Sequence, residues 1–576
     1  MCKMNYKKLF IGLGIFLTLV SCNKQLDYNL NNPNYPSLAT ADVDLYLNQI
    51  ELSFNNFWTT ASDYGAQLSR QQNWIGPLYK NAYQPASFDG MWTTAYSSML
   101  VNATAMLPLA VQQQKFIHSG IARTLMAFTY GTLVDDFGDV PYSQAVLGAA
   151  NTNPKVDGGA SIYAAVQTML DSAILDFQKT ATAKPASDLF YGGSATKWIT
   201  LAKTLKLKFY MQARLVDNTV GPKIQALLTE NNLINSPSQD FVFQYGTNLT
   251  APDSRHEHYG IDYVNSGGVG EYLSNYFIWD VTAAKYNGIV NITNNSASNA
   301  DPRARYYFYR QVTNYSWANQ QTAPCFGNSL YGSSNFPAWY PSVPDQTPYC
   351  VVGKGYLGRD HGDNSGAPPD GGYRTAWGVY PAGGQFDYDQ AASVTLGMGA
   401  GGAGINPIWL SSYTAFLEAE AALTLGITTQ GSARSLLQSG VTASINKVIG
   451  FPAAIGYNGV PSAQVPTTSQ INNYINLVLS IYDAAPNTDA QLNTVMNEYY
   501  IALWGNGVEA YNNLRRTGKP SNVQLAVTTP SPGFFMRSFF YPSVFVNRNS
   551  NAPAQKTPGD AANKVFWDNN PDNFIK

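Results

Sequence analysis

The stretch between residues 246 and 406 constrains the fold of this chain most. It is dense in Gly, Asn, Ser, Pro, Tyr and Trp, and it has few stretches of helical periodicity. This composition predicts loops and short strands. A structureless loop of that length is implausible within a compact domain. We therefore expect residues 246–406 to form an ordered but irregular insertion that packs against the rest of the chain.

Both flanks of this insertion carry helical periodicity. After Trp198, apolar residues recur at helical spacing as far as Ala213, while lysines project elsewhere. The same pattern recurs over residues 492–503. Further helices are predicted over 91–114, 118–134, 161–179, 409–425 and 431–449. We therefore predict a mostly α fold, with a helical scaffold over about 40–245 and 407–576.

The N-terminus has the pattern of an export signal. Lysines at positions 3, 7 and 8 precede an apolar stretch over residues 9–20, which is shorter than the roughly 20 residues that a membrane-spanning helix needs. The residues that follow, Leu19-Val20-Ser21-Cys22, resemble the lipobox of bacterial lipoproteins. We predict a signal peptide over 1–21, a mature chain over 22–576 and acylation of Cys22. The alternative is an ordinary secretory signal followed by an incidental cysteine.

The charge balance excludes one class of partner. Only 12% of the residues are charged and the formal net charge is -2, so the chain has no basic field that would attract nucleic acid. Partners that are neutral or of mixed charge fit this composition.

Two cysteines remain once Cys2 leaves with the signal and Cys22 is acylated. Cys325 and Cys350 lie in one aromatic, Pro-rich segment, where an oxidising exterior would favour a disulfide between them. The alternative is two buried free thiols. Their spacing is unlike a zinc site.

Metal and catalytic motifs are weak. The loop at residues 360–366 offers oxygen ligands on a turn, but it lacks the EF-hand spacing and the closing Glu, so a solvated loop is the alternative to calcium. His256 and His258 are two residues apart, unlike the helical HExxH zinc motif. There is no Gly-x-Ser-x-Gly elbow and no phosphate-binding loop. The sequence therefore predicts no metal, no cofactor and no catalytic residue.

Several segments resemble one family in the same order along the chain. They are LVDDFGDVPYS at 133–143, DLFYGG at 188–193 with KW at 197–198, DPR at 301–303, FLEAEAA at 416–422, ALW at 502–504, GVEAY at 507–511, LRRTGKP at 514–520, YP at 541–542 and VFWD at 565–568. Together they are similar to the SusD/RagB family of outer-membrane lipoproteins. The first segment is the most specific match, and the resemblance covers nearly the whole mature chain.

The resemblance implies a single SusD-like domain over 22–576. It also implies tetratricopeptide-like helical hairpins, although no repeat is visible as self-similarity in the sequence. Members sit as a lid on a SusC-like TonB-dependent transporter, facing the cell exterior. The function implied is capture of a nutrient and its delivery to that transporter, without enzymatic activity.

The family motifs themselves are interpreted as structural. Gly138 and Pro141 would end a helix and set a turn, and the neighbouring aspartates would accept hydrogen bonds. Arg515 and Arg516 would pair with Glu509 or cap helix carbonyls, with anion binding as the alternative.

Ligand binding is assigned to aromatic side chains instead. Flat rings pack on the C–H faces of sugars, and Tyr or Trp adds a polar group. The candidates are Trp74 and Tyr79 in a Gly/Pro-punctuated stretch, and Trp317, Trp339, Tyr340 and Trp377 in the insertion. For each one the alternative is a buried core aromatic. Oligosaccharide is the leading ligand class, with peptides and glycopeptides as competitors.

Two other functions stay open. A surface-anchored glycoside hydrolase would need two carboxylates facing each other across a cleft. A stand-alone adhesin would bind a macromolecule and have no transporter partner.

Overall fold

The computed structural model describes residues 42–73, 83–264, 269–282, 284–285, 301–311, 351–352, 356–362, 374–390, 392–524, 535–556, 563–572 and 574. Its α-helices are α1 (Val43–Leu68), α2 (Asp89–Thr93), α3 (Val101–Gln112), α4 (Phe116–Phe137), α5 (Gly159–Gln178), α6 (Ala195–Ala213), α7 (Val220–Glu230), α8 (Glu257–Tyr259), α9 (Asn275–Thr282), α10 (Ala304–Tyr307), α11 (Ser411–Leu425), α12 (Ala433–Ala454), α13 (Thr468–Asp483), α14 (Thr488–Ala502), α15 (Gly507–Thr517) and α16 (Ser543–Val546). The prediction of a mostly α fold is confirmed.

Shorter helical turns connect these elements. A π-helix over Thr94–Leu100 joins α2 to α3 without a break, and a second one, Gly260–Val264, follows α8. The 3-10 turns are Pro85–Phe88, Gly148–Ala150, Pro237–Gln239 and Ser462–Gln464.

The long helices pack as consecutive hairpins. Helix α4 packs against α5 and α5 against α6, and in the C-terminal half α11 packs against α12 and α13 against α14. This arrangement matches the tetratricopeptide-like scaffold that was expected. Among the described residues, no helix is both long enough and apolar enough to span a bilayer.

Helix α1 ties the two halves of the scaffold together. It packs against α15, which follows it by more than four hundred residues. A Cβ on Gly65 would lie 2.3 Å from the carbonyl oxygen of Gly507, and a Cβ on Gly507 would lie 2.0 Å from that of Ser62. Real Cβ contacts are never this short, so the crossing requires glycine at both positions.

Within the described residues the strands form five two-stranded antiparallel sheets. The strands are β1 (Gln72–Asn73), β2 (Val140–Pro141), β3 (Val156–Asp157), β4 (Phe241–Gln244), β5 (Tyr272–Leu273), β6 (Phe308–Tyr309), β7 (Val351–Val352), β8 (Tyr356–Leu357), β9 (Ala376–Trp377) and β10 (Ile405–Trp409). The pairs are β1 with β5, β4 with β10, β2 with β3, β6 with β9 and β7 with β8. Three of these five sheets use strands that lie within residues 246–406, and β10 of a fourth begins there, so the described part of this interval is built from short elements.

The family motifs form buried polar networks in this scaffold. The carboxylate of Asp135 accepts hydrogen bonds from Tyr163, Lys208, Asn512 and Trp567, all of them buried. The main-chain amide of Gly159 donates to Asp139 at 2.8 Å. These bonds agree with the structural interpretation of the aspartates.

One of the two motif arginines has a partner of the predicted kind, and the other does not. Arg515 donates to the carbonyl oxygens of Asp135 and Arg537, as a helix-capping role requires. Arg516 instead forms a two-point ion pair with Glu420. Pairing of either arginine with Glu509 is wrong, because Glu509 forms its ion pair with Lys208 at 3.1 Å. Both guanidiniums are buried, at 0% and 2% exposure of the residue, so neither offers an open anion site.

Candidate functional site

Described residues that border the segments with the predicted ligand-binding aromatics are joined by hydrogen bonds and strand pairing. Strand β1 ends at Asn73, directly before Trp74, and pairs with β5. The side-chain amide of Asn73 donates to the carbonyl oxygen of Asp360 at 2.7 Å. This bond ties the start of the 74–82 segment to the second half of the insertion.

Two further hydrogen bonds join distant parts of the insertion. Gln311 is the last residue described before a stretch that contains Trp317, Trp339 and Tyr340, and its side chain donates to the carbonyl oxygen of Arg374 at 2.7 Å. Arg374 in turn donates to the carbonyl oxygen of Val269 at 2.9 Å. These residues stand at or near the borders of the stretches that the structure does not describe. We call Asn73, Val269, Gln311, Asp360 and Arg374 the insertion base.

Five of the six predicted aromatics, and both cysteines proposed to form the disulfide, lie outside the described residues. They are Trp74, Tyr79, Trp317, Trp339, Tyr340, Cys325 and Cys350. Cys22, the predicted acylation site, also lies outside the described residues. Their roles stay predictions.

Trp377 is described, and its environment differs from the expectation. It is 1% exposed. Its ring stacks on His258 with centroids 4.0 Å apart and on Trp504 with centroids 3.9 Å apart. Its ring faces are therefore engaged by protein groups and are not open to stack on a sugar. In this structure Trp377 is a packing residue that joins the insertion to Trp504, just beyond the end of α14.

A charged cluster lies beside Trp377. His258 is at the centre: its Nε2 is 3.2 Å from a carboxylate oxygen of Asp63 and 3.9 Å from one of Glu257, and its Nδ1 is 2.9 Å from Glu271. Asp63 projects from α1, Glu257 and His258 from α8, and Glu271 directly precedes β5. We call Asp63, Glu257, His258 and Glu271 the His258 cluster.

The cluster carries more negative than positive charge. Burial opposes protonation of His258, but the carboxylates of Glu271 and Asp63 outweigh it and hold the imidazole pKa well above its usual value. Burial, and then the neighbouring Asp63 carboxylate, raise the pKa of Glu257. Burial and the charge of His258 hold the pKa of His256 well below its usual value. His256 is therefore neutral beside a charged His258.

A small cavity adjoins the cluster. Its volume is about 10 Å³, which is room for about one water molecule or ion. Asp63, Glu257 and His258 line it together with Trp377 and Trp504. Sequence reasoning missed this site because its groups come from positions near 63, 258, 271, 377 and 504. The adjacent Glu257-His258 pair is visible in the sequence, but it lacks the HExxH spacing that marks a zinc motif.

A second cavity is a surface groove of about 510 Å³. It lies between the α2–α3 helix, the loop around residues 145–154 and α16. Its lining includes Trp92, Tyr96, Leu147, Phe545 and Arg548. Aromatic and amphipathic groups of this kind also suit a ligand, so the groove is a competing site.

In the calcium candidate at residues 360–366, the carboxylate of Asp360 is hydrogen-bonded to protein side chains. Asp360 accepts hydrogen bonds from the side chains of Asn275 and Gln524. Residues 363–366 of the calcium candidate lie outside the described residues.

Two family models match the sequence. Residues 33–264 match a SusD-like family described as starch-binding and associating with the outer membrane, and residues 401–556 match SusD and RagB outer-membrane lipoproteins. No curated protein matches.

Solved structures share the fold over nearly the whole chain. A SusD/RagB family protein from Bacteroides thetaiotaomicron is 19% identical, with a TM-score of 0.62, covering 92% of this chain and 100% of that one. A SusD homologue from Parabacteroides distasonis is 16% identical, with a TM-score of 0.64 and coverage of 92% and 98%. A chitin-binding SusD homologue from Flavobacterium johnsoniae is 15% identical, with a TM-score of 0.60 and coverage of 92% and 99%.

Proposed function

The chain belongs to the SusD/RagB family of outer-membrane lipoproteins, and on that premise we propose that it captures an oligosaccharide at the cell surface and delivers it to a SusC-like TonB-dependent transporter. The lipid on Cys22 would hold it to the outer membrane, facing the exterior. Binding and release are non-covalent, so the function requires no catalytic residue.

The observation that carries this proposal is the set of contacts among the residues of the insertion base. The hydrogen bonds from Asn73 to Asp360, from Gln311 to Arg374 and from Arg374 to Val269 join described residues next to the aromatic-rich segments. The pairing of Asn73 with Tyr272, three residues after Val269, connects the two sets of bonds. Segments that leave a rigid scaffold from one region are able to form a common binding surface. We therefore assign ligand stacking to Trp74, Tyr79, Trp317, Trp339 and Tyr340, without Trp377.

A neutral glycan fits this surface better than a charged ligand. Only 12% of the chain is charged and 13% is aromatic, and aromatic faces pack on the C–H faces of sugar rings. The description of one family model as starch-binding, and of one structural relative as chitin-binding, supports a glycan over a peptide.

Calorimetric titration of the full chain in detergent tests the proposal. The probes are chito-oligosaccharides, malto-oligosaccharides and a neutral peptide of similar length. We expect Trp74→Ala and Trp317→Ala each to weaken glycan binding about tenfold, because loss of a stacked ring costs on the order of 1 kcal/mol. Tyr96→Ala, in the groove beside α3, is the matched aromatic control and should leave affinity unchanged.

Other outcomes separate the alternatives. Loss of binding in Tyr96→Ala alone would move the ligand site to the groove. Release of shortened sugars from a bound glycan would indicate a hydrolase. Absence of binding to any of these probes, in a protein that is folded, would favour the adhesin.

A further inference from the structure

We propose that the His258 cluster binds one divalent transition-metal ion, with His258, Asp63 and Glu257 as ligands and Zn²⁺ as the ion that fits this donor set best. Imidazole with carboxylates is a donor set that suits zinc and its first-row neighbours. This inference is independent of the proposed glycan binding.

The ligand atoms already converge. Atoms bonded to one ion at about 2.0–2.2 Å lie roughly 3–4.4 Å from one another. The Nε2 atom of His258 is 3.2 Å from Asp63 and 3.9 Å from Glu257, and the three ligand atoms all lie within 4.8 Å of one another. Small rotations of the two carboxylates, which are 32% and 39% exposed, would bring all three to bonding distance.

The orientation of the imidazole is fixed by Glu271. Its carboxylate contacts Nδ1 with both oxygens, at 2.9 and 3.1 Å. Metal-binding histidines typically donate their second N–H to such a carboxylate, which fixes the tautomer and leaves the other nitrogen for the metal. Here that other nitrogen, Nε2, is the one that faces Asp63 and Glu257.

The ring is held in place by packing as well. His258 is 5% exposed, and its ring stacks on Trp377 with an angle of 8° between the planes. A ligand fixed in this way loses little conformational entropy when the metal binds, which favours affinity.

The adjoining cavity gives a second, independent indication. The indole N–H groups of Trp377 and Trp504 are buried and have no hydrogen-bond acceptor in the structure. Both rings line the same cavity as the three proposed ligands, and that cavity of about 10 Å³ has room for about one water molecule. Buried donors without acceptors call for an explanation, and a water molecule bound to the metal would supply an acceptor.

The electrostatics favour a cation at this point. Asp63 and Glu257 present carboxylate oxygens to Nε2, and the side-chain amide of Gln72 lies 3.4 Å from the same atom. Among the ion pairs of the described residues, Asp63, Glu257 and Glu271 each pair with His258 alone. One imidazolium does not balance the carboxylates of Asp63 and Glu271, whereas a divalent ion would.

The test is metal titration of the full chain in detergent, purified with a tag that lacks histidine and treated with EDTA. Calorimetry with ZnCl2 should show about one equivalent bound, with a dissociation constant in the micromolar range or tighter. Asp63→Asn should abolish this stoichiometric binding. Glu271→Gln should weaken it about 10–100-fold, as loss of a carboxylate behind a histidine ligand does elsewhere.

Asp171→Asn is the matched control, because Asp171 is an exposed aspartate that pairs with Lys206 outside the cluster. It should bind zinc as the wild type does. Titration of the wild type with Co²⁺ adds a readout that needs no variant, since ligation by nitrogen and oxygen in a low-symmetry site gives visible absorption bands. Failure of the wild type to bind zinc stoichiometrically, or binding that survives in Asp63→Asn, would overturn the proposal.

Discussion

At the scale of single residues, the interior of this protein contains buried charges held in close ion pairs. Glu420 is the clearest case. Its carboxylate lies between two buried guanidiniums, 2.8 Å from Arg214 and 2.6 Å from Arg516. The two arginines hold the pKa of Glu420 below its usual value although burial opposes this.

We expect Glu420→Gln to lower the free energy of unfolding by about 3–5 kcal/mol, because it leaves two buried cations without a counter-charge. Urea denaturation followed by circular dichroism measures this change. Asp483→Asn, which breaks the exposed pair with Arg434, is the control and should unfold as the wild type does. Equal stability of the two variants would contradict this view of the interior.

A second residue, Glu51, makes stability depend on pH. It lies on α1 with no exposed surface, and burial, followed by the charge of Asp188, raises its pKa to about 10. The main-chain amide of Leu189 donates to one of its oxygens at 2.9 Å. The native state therefore holds a proton on Glu51 that the unfolded chain releases above the ordinary glutamate pKa of 4.5, so this residue makes the protein less stable as pH rises from there towards 10.

Glu51→Gln should remove this loss, since the amide is neutral and can still accept from Leu189. Between pH 6 and pH 8 the stability of the variant relative to the wild type should rise by about 1–3 kcal/mol. Urea unfolding at the two pH values measures it. A difference between the two proteins that stays constant with pH would show that Glu51 is ionised in the folded state.

At the scale of elements, the crossing of α1 and α15 is so close that main-chain atoms of the two helices leave no room for a side chain. We expect Gly507→Ala to lower the free energy of unfolding by about 2 kcal/mol or more, because its Cβ would meet main-chain atoms that have no room to move. The matched control is Gly450→Ala on α12, where a Cβ would meet nothing within 4 Å. There the substitution should stabilise by about 0.5–1 kcal/mol. Thermal unfolding of both variants measures the difference in stability. Similar melting temperatures of the two variants would contradict the predicted contact.

The sequence predicted the helices whose apolar residues keep a regular spacing. The prediction at 161–179 corresponds to α5, 118–134 to α4, and the helix after Trp198 to α6. It missed α1, although Leu47, Ile50, Phe54 and Ala61 recur at helical spacing along its buried face; that signal was present in the sequence. It also missed α13, although Thr467 and Gln470 form a capping box at its start and apolar residues recur along it; that signal was present in the sequence.

The candidate site was less predictable, because contacts between distant segments decide it. Trp377 was predicted as a ligand-binding aromatic, but whether a ring is open or covered depends on its neighbours, here His258 and Trp504. Nothing in local sequence spacing indicates that Asp63 meets His258. The cluster forms only where α1, α8 and the residue before β5 meet.

At the scale of the whole molecule, the C-terminal segment completes the core of the N-terminal half. The indole of Trp567 donates to Asp135 at 3.0 Å, and the amide of Phe539 donates to the carbonyl oxygen of Asp136 at 2.7 Å. Both Trp567 and Phe539 are fully buried. Residues of the two matched family regions therefore pack in one hydrophobic core.

A chain that ends at residue 534 should fail to fold stably, since it exposes the apolar surface around Phe137 and leaves buried Asp135 without one of its donors. Circular dichroism and limited proteolysis measure the loss. A chain that ends at residue 574 serves as the control and should fold normally. A shortened chain that resists protease as well as the full one does would show that the C-terminal segment is dispensable.

The central claim is that this protein captures a nutrient for an outer-membrane transporter, and the most direct measurement is purification of the tagged full chain from its native membrane in mild detergent, followed by mass spectrometry. We predict a TonB-dependent barrel in near-equal amount. Cys22→Ala, the control for anchoring, should shift the protein out of the membrane fraction. Recovery of folded, surface-exposed protein without any barrel would contradict the account and favour a stand-alone adhesin.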